Sequence, residues 1–320
     1  MTSVPAIRVP LLDFSSTSAG ALVDALCAHS CVFLTGLDEF SAGGSFGADL
    51  AAMVGTSKEF FGLAPEEKSE VCWSGAGEWV GWQPLYEGGA DALLLERYEL
   101  ALPDPAGFAS DAEWAAGFSL WPRNPVEMAA TWAAYYRTAR ALTNRIVEMI
   151  ASAVGLPVAD MAAWTTRQHS NLCVNHYLAQ PDVPGPGQTR QRAHADIGGI
   201  TLLWADGRAG LEAAIGPDGA WVPVEFPPGA VLLQAGDLLH LWARGLIPKN
   251  LHRVVNPPRT PGLPQTDRYS VVFFHHPDLD TWIAPAADGA GEADGTGGGV
   301  DGVTARDHVL ARQRAAYTLP

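Results

Sequence analysis

The sequence predicts an α+β chain in which helices pack outside a β jelly roll of two sheets. Three observations lead there. The hydrophobic period changes near residue 170, from helical spacing before it to short apolar runs after it. Those runs are punctuated by the turn signals "DGRAG", "GPDG" and "PPG". The 320 residues are 48% hydrophobic, enough for one large core. Many short strands after a helical block fit a double-sheet jelly roll with helices outside it.

The elements follow in order. "IRVPLLDF" (7–14) reads as a strand, "SAGALVDALCAHS" (18–30) as an amphipathic helix and "CVFLTGL" (31–37) as a second strand. Helical pattern resumes over 48–68, whereas 73–98, rich in Gly and Trp, takes no assignment. The clearest helix opens at Asn124 as cap, with Pro125 at its first position and Glu127 where a capping-box acid belongs. Trp132, Tyr136, Ala139, Leu142, Ile146, Met149 and Ile150 keep one face apolar, and Gly155 and Pro157 stop it. Strand candidates follow in "NLCVNHYLAQ", "GITLLWA", "GLEAAI", "AWVPVEF", "AVLLQAG" and "RYSVVFFHH". The glycine-rich 286–302 reads as a loop, and 304–317 as a closing helix capped by Thr304 with Asp307 at its third position.

The net charge of −15, from 20 Lys plus Arg against 35 Asp plus Glu, disfavours nucleic acid and anionic membranes as partners. Small-molecule chemistry is the expectation that remains. Cys27, Cys31, Cys72 and Cys173 are too few and too scattered for a disulfide framework; Cys27 and Cys31, spaced i, i+4 on an expected helix, read as two small buried side chains. No signal peptide or membrane-length apolar run is legible, so the expected location is cytoplasmic.

Chemistry concentrates in "QRAHADIGGITLL". On a strand, His194 and Asp196 would share a face, with Ala195 turned away. By itself a His-x-Asp pair is usually a local hydrogen bond or a surface pair. His252, in "NLHRVVNPP", adds a third ligand type, and two histidines with one carboxylate can occupy one face of a metal octahedron, as in non-haem Fe(II) oxygenases. In "DRYSVVFFHHP", Arg268, Ser270, Val272 and Phe274 share one strand face. An inward arginine must meet an anion, and its planar fork suits a carboxylate. Asn175 and Tyr177 add polar tips on another strand. A structural salt bridge explains Arg268 alone, but not Arg, Ser, Asn and Tyr around such a triad.

With these motifs in hand, the chain resembles the Fe(II)/2-oxoglutarate-dependent dioxygenases, in the branch that resembles isopenicillin N synthase. "IRVPLLDFS", "FFGLAPEEK", "LWP", "NHY", "HAD", "QAGDLLHLWARG", "LHRVVNPP" and "RYSVVFF" occur in the order that family has them. The resemblance implies a double-stranded β-helix (jelly roll, cupin-like) core with flanking helices. It divides the chain into a mixed region with a long supporting helix (1–165), the oxygenase core (166–280) and a closing loop and helix (281–320). It implies that His194, Asp196 and His252 hold Fe(II), that Arg268 and Ser270 bind the distal carboxylate of 2-oxoglutarate with help from Tyr177, and that Asn175 supports the site. O2 is the further co-substrate. The activity implied is oxidative decarboxylation of 2-oxoglutarate coupled to C–H oxidation of a small molecule, such as a secondary metabolite, amino acid or peptide. The alternatives are an oxidase of the same fold that dispenses with 2-oxoglutarate, and a jelly-roll binding protein without catalysis.

Phe274 and Trp204 are expected pocket walls, together with residues of 78–100. His176 should face away from the site, as should His275, whereas His276 shares parity with Arg268. "LAQP" after Tyr177, the long loop between His252 and Arg268 and the glycine-rich segment depart from the family pattern. They bear on substrate access more than on the iron site.

Overall fold

The structure, a computed structural model, describes residues 8–73, 80–84, 95–101, 113, 120–156, 164, 170–179, 189–215, 218–256, 266–283 and 302–317. The chain opens with strand β1 (Leu11–Asp13), helix α1 (Ala19–His29) and strand β2 (Cys31–Thr35). Ser18 caps α1 by accepting from the Ala21 N–H at 3.2 Å. Because Cys31 begins β2, Cys27 and Cys31 do not share a helix; all four cysteines are free. The single helical stretch expected over 48–68 is two helices, α2 (Phe46–Phe61) and α3 (Pro65–Ser69). Gly62 ends α2, and Pro65 takes the first position of α3, where a missing N–H costs nothing.

The unassigned Gly- and Trp-rich stretch contributes two strands, β3 (Gly81–Gln83) and β4 (Glu96–Ala101). The long helix α4 (Met128–Val154) starts later than the sequence predicts. Asn124 is not its cap, and Glu127 forms no capping box. Asn124–Pro125 is a cis peptide in a preceding turn, and backbone carbonyls of Pro125 and Glu127 satisfy the N–H groups of Met128 and Thr131. Its expected apolar face is buried throughout, and Gly155, at φ 70°, ends it in the left-handed conformation that glycine adopts freely.

The strands that follow are β5 (Asn171–Tyr177), β6 (Gln191–His194), β7 (Ile200–Ala205), β8 (Leu211–Ala214), β9 (Trp221–Pro223), β10 (Val231–Ala235), β11 (His252–Val254) and β12 (Arg268–His275). Helix α5 (Asp237–Trp242) lies between β10 and β11. β13 (Trp282–Ile283) pairs with β14 (Val303–Thr304), and α6 (Ala305–Tyr317) closes the described chain. Thr304 caps α6 by accepting from the Asp307 N–H at 3.1 Å and donating to its carboxylate at 2.7 Å. Pro157 and most of the glycine-rich stretch and of the long 252–268 loop lie outside the described residues.

Two sheets form. The larger has the order β1-β2-β10-β7-β12-β5-β4-β3, and the smaller β6-β11-β8-β9. The larger sheet therefore takes strands from both sides of residue 165. Parity sorts its faces. Leu202, Val271 and Phe273 join α1, α2 and α4 in one apolar core, while Leu203, Leu232, Val272, Leu211 and Val254 join a second core between the sheets. This is the double-stranded β-helix with helices on its outer face.

Candidate active site

A cleft lies between the facing sheets. Arg97, Cys173, Asn175, Tyr177, Arg268, Ser270 and Phe274 line it from the large sheet; His194 and His252, paired on adjacent strands β6 and β11, line it from the small one.

Asp196 reaches the site by a route different from the one its spacing predicts. β6 ends at His194, so Asp196 stands in the following turn and not on the strand face. The N-terminal end of α5 holds that turn: the Asp237 and Leu238 N–H groups donate to the carbonyls of Asp196 and Gly198 at 2.8 and 3.0 Å. Gly236 permits this approach, since a Cβ there would lie 2.2 Å from the Gly198 carbonyl oxygen. The Asp237 carboxylate then binds His308 at 2.9 Å and Arg312 at 2.8 Å on α6, and Lys249 at 3.1 Å. Burial pushes this carboxyl up, but the hydrogen bonds from His308 and Lys249, with the charges of Lys249 and Arg312, outweigh it and hold the group well below the usual carboxylate range.

One ligand atom from each of His194, Asp196 and His252 falls within 4.8 Å of the others. Asp196 Oδ1 lies 3.7 Å from His194 Nε2 and 3.8 Å from His252 Nε2. The remaining polar atoms are committed elsewhere. His194 Nδ1 donates to the Arg192 carbonyl at 2.8 Å, and His252 Nδ1 faces the Asn250 carbonyl at 3.3 Å. A carbonyl only accepts, so each Nδ1 carries a proton, and each Nε2 is the ring nitrogen turned toward Asp196. Thr201, itself buried, donates to Asp196 Oδ2 at 2.6 Å. Burial, reinforced by His194 and opposed by Asp196, lowers the His252 pKa, so its ring is neutral near pH 7. Two imidazoles and a carboxylate with converging atoms are a donor set suited to a divalent first-row metal.

At the other side of the cleft, Arg268 is 1% exposed. Its Nε donates to the Arg208 carbonyl at 3.3 Å, its guanidinium lies 4.9 Å from the Tyr177 ring centre, and among the described residues its Nη1 has no hydrogen-bond partner. Arg190, which the sequence reading missed, approaches the same ring at 5.7 Å, and its Nε is likewise unpaired among the described residues. Burial, then the neighbouring Arg268, lower its pKa. Two buried guanidiniums with unsatisfied donors call for an anion. Asn175 Nδ2 lies 3.5 Å from Ser270 Oγ in the same wall.

Phe274 lines the cleft as expected, but Trp204 does not. It pairs with Val271 and packs on the helix-side core, because Leu203 takes the inward parity on β7. His176 faces away: its ring bonds Glu96 at 2.8 Å and Asp267 at 3.0 Å and stacks on Tyr269. His275 is buried beside Trp164, and His276, beyond the end of β12, packs near Gly198 and does not line the cleft. The sequence reading also missed Gln234 and Asn250. The bonds Gln234 Nε2 to Asn250 Oδ1 (2.7 Å) and Asn250 Nδ2 to Ser30 Oγ (2.8 Å) anchor the residue whose carbonyl meets His252. Only the change from a polar to a neighbouring apolar run marks them in sequence. Cys173 lines the cleft as a thiol, since burial, then Glu99, push its pKa up.

Residues 169–277, the span holding this geometry, match the family model described as the 2OG-Fe(II) oxygenase superfamily. The chain belongs to that superfamily. As a 2OG-Fe(II) oxygenase it is an enzyme that uses Fe(II), 2-oxoglutarate and O2. It is 27% identical to a 2-oxoglutarate-dependent dioxygenase of Monascus ruber, over 99% of this chain and 96% of that one. Among solved structures, a 2OG-Fe(II) oxygenase family protein of Caulobacter crescentus superposes with TM-score 0.77 at 25% identity, covering 96% of this chain and 99% of that one. A full-length Neurospora crassa protein in complex with alpha-KG shares the fold, with TM-score 0.78 at 24% identity and 96% of each chain covered. The oxygenase also has, among its described residues, no helix long and apolar enough to cross a membrane.

Proposed function

We propose that His194, Asp196 and His252 hold the Fe(II), and that Arg268, with Ser270 and Tyr177, takes the distal carboxylate of 2-oxoglutarate while Asn175 braces Ser270. The observation that carries this reading is the convergence of two imidazole Nε2 atoms and one carboxylate oxygen on a cleft that also holds a buried, unpaired guanidinium N–H. When bound, the metal supplies the oxidative decarboxylation of 2-oxoglutarate and the oxidation of a substrate C–H bond by O2.

The chain's own residues bind, orient and exclude water. Arg268 and Arg190 place positive charge around Tyr177, where one end of a dicarboxylate is drawn in. Thr201 fixes the Asp196 carboxylate through Oδ2, and the Arg192 and Asn250 carbonyls fix the two imidazole rings. Leu203, Leu211, Val254, Val272 and Phe274 keep the cleft walls apolar. The primary substrate is a small molecule, a reading supported by the cleft between the sheets and by the net charge of −15. Four free cysteines support work in a reducing, cytoplasmic setting.

The test is metal titration and 2-oxoglutarate-dependent succinate release with His194→Ala, Asp196→Ala and His252→Ala. Each should lose metal binding and turnover while still melting cooperatively, because the two apolar cores do not depend on the ligands. Near-normal metal binding in any one of them overturns the assignment of that residue.

A further inference from the structure

One cation in the cleft is not used by the site as assigned. Arg97, on β4, pairs in register with Gln83 on β3 and Asn175 on β5, and Asn175 pairs in turn with Ser270 on β12. Register partners point to the same face, so Gln83, Arg97, Asn175 and Ser270 form one polar row across the large sheet. Two strand spacings put Arg97 about 10 Å from Ser270 along that row. It therefore stands beside the co-substrate position, not in it.

Among the described residues, Arg97 donates no hydrogen bond, and no carboxylate oxygen lies within 4.0 Å of its guanidinium. Glu99 shares its face on β4 and feels the Arg97 charge, but it makes no direct ion pair with it and accepts from Asn171 Nδ2 at 3.0 Å. Asp196 is the single carboxylate among the cleft-lining residues, and it is engaged by Thr201 and the two histidines. A guanidinium lining an otherwise neutral or cationic wall is an anion-recognition group. On that reading 2-oxoglutarate does not supply the anion: its distal carboxylate is matched to Arg268, and its reacting end would be held at the site of His194, Asp196 and His252. The remaining source is the primary substrate. Phe274, Val272 and Leu203 offer that substrate an aromatic and aliphatic surface.

We propose that Arg97 is the specificity-determining residue for the primary substrate, and that this substrate is an organic carboxylate with an apolar body. The proposal rests on the placement of 2-oxoglutarate and metal given above.

The test uses two matched pairs of probes, phenylacetate with phenylacetamide and hexanoate with hexanamide. Each is titrated calorimetrically into the full chain, once with Fe(II) and saturating 2-oxoglutarate without O2, and once with neither. In the wild type each acid should bind about tenfold or more tighter than its amide, the scale of one charge-assisted hydrogen bond. Arg97→Gln should remove that preference and leave amide binding unchanged, and Arg97→Lys should restore part of it. The proposal is overturned if no acid outbinds its amide in the wild type, or if the preference survives in Arg97→Gln. Failure of the underlying reading looks different: the wild type would take up no Fe(II) or 2-oxoglutarate, while the acid preference would still be measured in the titration without them.

Discussion

Replacing Arg268 by methionine separates a binding arginine from a structural one. In the free protein this guanidinium has one long hydrogen bond, to the Arg208 carbonyl at 3.3 Å, and one ring contact, to Tyr177 at 4.9 Å. Against these stands an unpaired buried Nη1, a liability of about 1–3 kcal/mol. The bond and the ring contact together return about 1–2 kcal/mol. Arg268→Met, of similar length and wholly apolar, should therefore move the stability of the ligand-free protein within a range from about 2 kcal/mol gained to about 1 kcal/mol lost. A structural ion pair in the same place would cost about 3–5 kcal/mol when broken. The same substitution should weaken 2-oxoglutarate by about 10- to 150-fold, the equivalent of about 1.5–3 kcal/mol for a charge-assisted contact. Arg268→Lys should recover only part, because it keeps the charge and loses the planar fork. The assays are denaturant melts without ligand, and succinate release against 2-oxoglutarate concentration. A melt lowered by about 3 kcal/mol with unchanged 2-oxoglutarate affinity would refute the argument. Full O2 consumption without 2-oxoglutarate would favour the oxidase alternative.

Two further outcomes follow from the same contacts. Thr201→Val removes the only hydroxyl donor to Asp196 Oδ2 among the described residues and should weaken metal affinity about 10- to 100-fold; an unchanged metal titration would show that the carboxylate orients itself. On the helix side, burial raises the Glu96 pKa, but hydrogen bonds from His176, Lys68 and Trp82 outweigh it, so the group titrates below its ordinary value. A depressed carboxylate contributes stability that is complete above about pH 4.3 and is lost as pH falls through the folded value, so Glu96→Gln should flatten the acid limb of the stability profile. Parallel acid limbs for wild type and variant would remove Glu96 from the cause.

What the sequence determined by itself is whatever strand and helix periodicity report locally. The inward set Arg268, Ser270, Val272 and Phe274 was legible because side chains alternate every second residue along β12, and the buried face of α4 because it repeats at helical spacing. The same local rule predicted that His176 faces away, which it does. Where a local rule was extended beyond its element it failed. Asp196 reaches the site from a turn braced by α5, and α4 begins after a proline turn instead of at Asn124. Trp204 had no parity argument behind it, and the register of β7 against β12 turned it to the helices. Tertiary structure alone decided what arises from chain segments far apart in sequence. That includes β3 and β4, which extend the large sheet beyond β5 and which short glycine-rich sequence does not advertise, and so the inward Arg97. It includes Arg190 beside Tyr177, and the Ser30–Asn250–Gln234 chain behind His252. An isolated arginine or asparagine has no period to betray its partner; its environment exists only once the sheets close on each other.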